Sequence, residues 1–290
     1  MSLVGKWVVL RFGLLVPNFG EYCGSVRNLI ELAVEGESVG WDGLFLFDHI
    51  HYTIGETVQM VDPWVALAAI AVKTERTRLG TLVTPLPRRR PWKLARETVS
   101  IDHLCGGRLI LGVGLGDAVD LEFESFGEDA DINSRAVKLD EGLETLVRLW
   151  SGERFNYQGR YVGARNVQFL PRSLQTPRIP IWVAGRWPKR APFRRAARWD
   201  GAFPLGLQRG STLKPDELRA VSDFINSQRT AAGPYDIVAT SGADGHIENQ
   251  DTLLAYADAG ATWWMQDMRR WCNSRQELMA QVRRGPPQRL

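Results

Sequence analysis

One rhythm runs the length of the chain: a short run of β-branched and other apolar residues, a turn, then a longer stretch whose apolar positions recur at helical spacing. Strands are expected over residues 8–16, 44–47, 78–84, 109–115, 181–184, 201–205, 235–240 and 261–265, and helices over 25–39, 62–73, 91–104, 134–150, 189–198, 215–231, 250–257 and 274–282. Leu44-Phe45-Leu46-Phe47 is continuously apolar, as a strand covered on both faces must be. Pro63 and Pro91 open their helices, and Ser25 and Gly40 bracket the first one. Leu139, Leu143, Leu146, Val147 and Trp150 stripe one face of the 134–150 helix. Eight strand-then-helix units are the number that closes a parallel sheet on itself, so the chain reads as an α/β fold, a (β/α)8 TIM barrel. No glycine-rich dinucleotide turn follows the first strand, which weakens the competing open doubly wound sheet.

At 290 residues the chain suits one such barrel, read as a single domain over 1–290 with an insertion between strands four and five over about 152–179. Inside the insertion, Phe155-Asn156-Tyr157 and Tyr161-Val162 flank Gln158-Gly159-Arg160 as a small hairpin. Lys and Arg number 36 against 33 Asp and Glu, with no basic tail, so nucleic acid is not an expected partner. No apolar run approaches the length of a membrane helix. Cys23, Cys105 and Cys272 are too few and too scattered for a disulfide framework or a structural zinc site, and a reducing cytoplasm fits best.

Chemistry in a barrel gathers where strands end, at their C-terminal edge. After strand two stand Asp48-His49-Ile50-His51, read as facing the mouth, with His49 able to move a proton near neutral pH. His49 and His51 also have the spacing of a zinc pair in a barrel hydrolase, but His103 falls within a helix and His246 in a late loop, and strands five and six end on no histidine. After strand three, Arg88-Arg89-Arg90 suit a phosphate or polycarboxylate, or else make salt bridges to a neighbouring helix. After strand four, Gly112, Gly114 and Gly116 would let a flat ligand approach the backbone, and Asp117 is a hydrogen-bonding or acid–base group at the mouth. Glu122 and Glu124 read as solvated charges. After strand five, Gly185-Arg186 lead into a helix start, an arrangement that takes anions. Trp187 and Trp263-Trp264 are candidates to wall an aromatic pocket.

These segments, in this order, resemble the luciferase-like monooxygenase superfamily, which includes FMN-dependent monooxygenases and oxidoreductases using the deazaflavin coenzyme F420. The resemblance is carried by Gly40-Trp41-Asp42-Gly43 into Leu46-Phe47-Asp48-His49, Asp62-Pro63-Trp64, Thr77-Arg78-Leu79-Gly80-Thr81, Gly106-Gly107-Arg108-Leu109, Leu111-Gly112-Val113-Gly114, Leu149-Trp150-Ser151-Gly152 and Ile181-Trp182-Val183-Ala184-Gly185. It implies a flavin-dependent oxidoreductase with FMN or deazaflavin at the mouth, a small-molecule substrate, possible dependence on a separate flavin reductase, and a homodimer. By position it implies catalytic roles for His49 and Asp117, the latter where some deazaflavin dehydrogenases carry a glutamate. It implies cofactor contacts from Asp48, Leu82, Val83, Thr84, Gly114, Gly116, Gly185 and Arg186, with a non-proline cis peptide at Leu82-Val83. Gly114-Leu115-Gly116 stands where bacterial luciferase has Cys-Arg-Gly, so light emission is not implied. His51 and Tyr52 stand where the sugar-phosphate deazaflavin enzymes have a tryptophan. Two other readings stay open beside it: a metal-dependent hydrolase using His49 and His51, and a non-catalytic flavin-binding subunit.

Overall fold

The computed structural model describes residues 10–51, 58–117, 121–243, 245 and 249–287. In chain order the strands are β1 (Arg11–Val16), β2 (Gly43–Leu46), β3 (Arg78–Pro85), β4 (Leu109–Gly114), β5 (Phe155–Gln158), β6 (Gly163–Val167), β7 (Ile181–Arg186), β8 (Gly201–Leu205), β9 (Asp236–Thr240) and β10 (Trp263–Asp267). Eight of them close a barrel in the order β1-β10-β9-β8-β7-β4-β3-β2, while β5 and β6 pair only with each other, after β4, where the insertion is expected. The helices are α1 (Val26–Ser38), α2 (Pro63–Ala71), α3 (Pro91–Leu104), α4 (Ile132–Ser151), α5 (Arg190–Ala196), α6 (Pro215–Gln228), α7 (Gln250–Asp258) and α8 (Arg275–Arg283). The eightfold reading holds; the expected start of the first strand at Val8 lies outside the described residues. None of the described helices is long and apolar enough to cross a membrane.

Local chemistry sets several of these boundaries. Asp62 accepts from the backbone N–H groups of Trp64 and Val65 at 2.8 and 3.0 Å, with Pro63 in the first helical position, so α2 starts sharply. Asp131 accepts from Ser134 N at 2.7 Å, which starts α4 two residues earlier than its apolar stripe indicates. Gly152 ends that helix in the left-handed region, at φ 75°.

Two cores result. The larger lies between strands and helices and takes Leu46, Leu67, Leu143, Trp150, Ile225 and Trp264. The smaller fills the barrel itself: Phe45 stacks on Trp182 at 5.2 Å between ring centres, and Trp263 meets both rings more edge-on, at 5.8 and 5.6 Å. Small residues make room for these rings, and a Cβ at Gly201 would run into the Trp182 indole. Among the described residues the barrel interior is thus filled by side chains below its mouth. This corrects the reading of Trp263-Trp264 as pocket walls, since Trp263 is buried in the plug and Trp264 in the outer core against Tyr256. Trp187 packs outward against Phe193 and Phe224 of the helical layer.

The inserted hairpin turns later than its sequence suggests: Tyr161 and Val162 lie in the turn, and the second strand begins at Gly163. The cause is tertiary. The Glu141 carboxylate on α4 accepts from the backbone N–H groups of Arg160, Tyr161 and Val162 at 2.6, 2.8 and 3.0 Å. Bonds to a charged acceptor contribute about 1.5–3 kcal/mol when buried, and less here because water reaches the turn. Glu141→Ala is expected to cost about 1–2 kcal/mol in urea unfolding; an unchanged midpoint would remove Glu141 as the anchor of the hairpin.

Candidate active site

Side chains alternate along an extended strand. Phe45 points into the barrel, Leu46 out to the helices, and Phe47 back over the barrel plug. The alternation continues past the strand end, so of Asp48 and His49 only one can face the mouth, and it is His49. Asp48 instead lies in the outer layer, fully buried. Thr84 Oγ1 and Trp64 Nε1 donate to its Oδ2 at 2.8 and 3.2 Å, and Arg89 and Arg88 donate to its Oδ1 at 2.6 and 3.2 Å. A carboxylate has about four acceptor sites, so all are taken. Burial pushes the Asp48 carboxyl up, but the charges of Arg89 and Arg88 and the donated bonds outweigh it and hold it below the usual aspartate range. Asp48 therefore buttresses the loops after β2 and β3, which corrects its reading as a mouth residue. Arg88 and Arg89 are spent on the same knot, and of the three arginines only Arg90 is exposed. Thr84 is buried with them, its hydroxyl 3.0 Å from that of Thr81.

His49 is held from several sides. Asn18, buried after β1, donates Nδ2 to His49 O at 2.8 Å and accepts from His49 N at 3.3 Å. The imidazole meets Phe19 and Phe47 edge-on, at 5.7 and 5.9 Å between ring centres. Its Nδ1 lies 3.2 Å from Glu122 Oε1, an oxygen that also accepts from Ile50 N at 2.7 Å and His51 N at 3.3 Å. Glu122 is buried, not solvated as its loop position suggests, whereas Glu124 is exposed. Burial pushes the Glu122 carboxyl up, but the His49 hydrogen bond and charge, the Arg88 charge and the Ile50 N–H hold it below the usual glutamate range. An ionised carboxylate only accepts hydrogen bonds, so His49 carries a proton on Nδ1 and, when neutral, uses Nε2 as its acceptor nitrogen.

The floor of the mouth is apolar and half-buried: Phe47, Val83, Ala184 and Leu205 sit on the barrel plug. The ladder between β3 and β4 steps from Thr81–Leu111 to Thr84–Val113, three residues against two, a bulge that turns Leu82 into the plug and Val83 onto the floor. The Leu82-Val83 peptide within it is cis. Gly114 lies under Val83, where a Cβ would come within 2.8 Å of the valine methyl, and Gly116, at φ 82°, turns the chain over the Phe123 ring. Gly185 serves packing rather than ligand approach, since a Cβ there would lie 2.5 Å from Pro192.

Across the mouth stands a charged cluster. Arg186 donates to the carbonyls of Gly206 and Gln208, both at 3.0 Å, and its other terminal nitrogen lies 3.5 Å from Asp117 Oδ2. Arg209 Nε is 3.7 Å from the same oxygen. Asp117 thus faces two guanidinium groups, and the carboxylate in contact with His49 is Glu122. The helix after β7 begins only at Arg190 and is 7 residues long, so the cationic groups on this side of the mouth are the side chains of Arg186 and Arg209 rather than a helix start. His51 meets Phe126 edge-on at 6.1 Å, and among the described residues no three His, Cys, Asp or Glu side chains converge as a metal set. His246 lies outside the described residues.

The family model described as luciferase-like monooxygenase matches residues 10–241. The chain belongs to this family. Among curated members, it is 30% identical over 195 residues to the F420-dependent glucose-6-phosphate dehydrogenase of Amycolatopsis mediterranei, covering 66% of this chain and 57% of that one. It is also 30% identical over 209 residues to the enzyme of the same name from Intrasporangium calvum, covering 70% and 61%. The chain therefore spans less than two thirds of the length of these relatives. Among solved structures, the fold matches the coenzyme F420-dependent tetrahydromethanopterin reductase of Methanopyrus kandleri with a TM-score of 0.75 at 16% identity, covering 94% and 96% of the two chains. It matches the oxygenating constituent of 3,6-diketocamphane monooxygenase from Pseudomonas putida, in complex with FMN, with a TM-score of 0.64 at 19% identity, covering 80% and 67%. The same barrel thus carries an F420-dependent reductase and a monooxygenase constituent in complex with FMN.

Proposed function

We propose that the chain is an oxidoreductase that binds FMN or the deazaflavin coenzyme F420 across the barrel mouth and oxidises or reduces a small organic molecule beside His49. The observation that carries this is the polarity of the mouth. In the barrel order the end of β2, with His49, stands diametrically opposite β8, next to Arg186 and Arg209. Between them lies the apolar floor of Phe47, Val83, Ala184 and Leu205. The residues fit such a cofactor: a flat ring matches the floor, and the guanidinium groups of Arg186 and Arg209 are of the kind that matches a phosphate. When bound, the cofactor supplies the electron or hydride chemistry. The chain's own part is to orient and to move a proton. Arg186, braced by two carbonyls and Asp117, holds the phosphate end. His49 takes or gives a proton at Nε2, and Glu122 fixes its tautomer. The reading includes a cytoplasmic homodimer and, in the FMN case, a separate reductase.

Equilibrium binding of FMN and deazaflavin, oxidised and reduced, tests this by absorbance and fluorescence. Deazaflavin binding with FMN ignored supports a hydride-transfer dehydrogenase, and preference for reduced FMN supports a monooxygenase. Binding of neither removes the proposal. Arg186→Ala is expected to weaken cofactor binding by about 1.5–3 kcal/mol, the range for a hydrogen bond to a charged group.

A further inference from the structure

The turn after β10 presents one more guanidinium to the mouth. Trp263 and Met265 of β10 point into the barrel plug, and strand alternation puts Asp267 on the same face, one step nearer the mouth. Asp267 is buried, and its carboxylate clips the residue two positions on. Oδ1 accepts from the backbone N–H of Arg269 at 2.9 Å and from its Nε at 3.1 Å, while Oδ2 accepts from Nε and Nη2 at 2.9 and 2.6 Å. So held, the guanidinium lies over the Phe47 ring, with Cζ 5.2 Å from the ring centre. The same ring meets His49 edge-on at 5.9 Å. Only β1 stands between β10 and β2 in the barrel, so Arg269 and His49 line adjoining parts of the mouth.

Arg269 is used differently from other arginines of the mouth. Arg88 and Arg89 tie two loops together through Asp48, and Arg186 holds the carbonyls of Gly206 and Gln208. The Arg269 side chain braces no second element by a hydrogen bond among the described residues. Its acceptor is two residues away, one edge of the fork is taken, and Nη1 has no acceptor among the described residues. The side chain is 28% exposed and that of His49 19%, so a ligand can reach both.

We infer that Arg269 binds a carboxylate on the molecule transformed beside His49. The Nη1–Nη2 edge meets the two carboxylate oxygens, and the carbon frame lies against Phe47 and Phe19. The inference rests on the reading of the mouth as a cofactor site. Asp267 fixes the plane of the fork before the ligand arrives, so little side-chain freedom is lost on binding. A carboxylate monoanion fits better than a phosphate dianion, because the guanidinium already shares its charge with Asp267.

The test uses the full chain loaded with whichever cofactor it binds. Benzoate, benzamide and phenyl phosphate are titrated against it, read by calorimetry and by perturbation of the bound cofactor's visible absorption. Benzoate is expected to bind about tenfold or more tightly than benzamide. Its affinity should fall as salt is added, while that of benzamide stays flat. Arg269→Gln should bring benzoate down to the level of benzamide with cofactor affinity nearly unchanged. Arg269→Lys, which keeps the charge without the fork, should recover part of the loss. Arg270→Gln, at the exposed neighbouring position, should leave the preference in place. Benzoate that binds no more tightly than benzamide, undetectable binding of both included, overturns the inference and leaves the cofactor reading intact. So does a preference that survives Arg269→Gln or disappears in Arg270→Gln, or phenyl phosphate that outbinds benzoate. A loss of cofactor affinity in Arg269→Gln as large as the loss of benzoate affinity also overturns it, by placing Arg269 at the cofactor. Failure to bind either cofactor is seen before any probe is added, and it overturns the proposed function and this inference together.

Discussion

Asp48→Ala is expected to destabilise the protein by about 3–5 kcal/mol, the cost of leaving a buried charge without its partner. Two guanidinium groups are stranded rather than one, because Arg88 and Arg89 both donate to Asp48 Oδ1. Arg88 also donates to the Asp48 backbone carbonyl, so the loop that carries His49 is held to the loop after β3 by the same residues. Asparagine is not a safe replacement. Its amide N–H2 would have to face either the two arginines or the Thr84 and Trp64 donors, and either choice sets donor against donor. The loss is a large share of a typical total stability of about 5–15 kcal/mol, and urea or thermal unfolding reads it directly. A cost below about 1 kcal/mol would mean that the knot relaxes around water and is not the buttress described. The same knot has a pH signature. The folded carboxyl is held below its ordinary value of 3.8, so its contribution is complete above that value and is lost as pH falls through the lower folded value. The acid side of the stability profile should therefore flatten in Asp48→Asn relative to the parent chain.

His49→Ala is expected to lower turnover by about 10²–10⁴-fold, the usual share of a positioned acid–base group, with cofactor affinity nearly unchanged. The separation of the two effects follows from the mouth: the histidine stands opposite the cationic cluster and packs on Phe19 and Phe47 rather than beneath the phosphate end. Glu122→Gln should reduce turnover by a smaller factor. The amide oxygen can still accept from Ile50 N, but an amide, unlike a carboxylate, can also turn its N–H2 toward the His49 ring and no longer fixes the tautomer. Steady-state kinetics beside a cofactor titration on each variant decides the point. Unchanged turnover in His49→Ala ends its catalytic role, and a parallel loss of cofactor binding reassigns it to the binding surface.

The repeated alternation of apolar strand and amphipathic helix is a local property, written in neighbouring residues, and by itself it determined the eight units, their order and the closed barrel. Helix starts at Asp62-Pro63 and Pro91 were legible for the same reason, because a cap and a proline act within one turn of their own position. The family-bearing segments placed His49 at the mouth. The partners of that histidine were not legible. Asn18 lies 31 residues before it and Glu122 lies 73 after it, and only the pairing of β1, β2, β3 and β4 side by side brings them to one ring. Nor did the loops reveal which charges cancel. Three adjacent arginines read alike in the sequence, yet Arg88 and Arg89 turn inward to Asp48 while Arg90 faces solvent. Composition counts charges, but whether a charge binds a ligand or a neighbour depends on what the fold sets within about 4 Å of it, and that distance exists only in the tertiary structure.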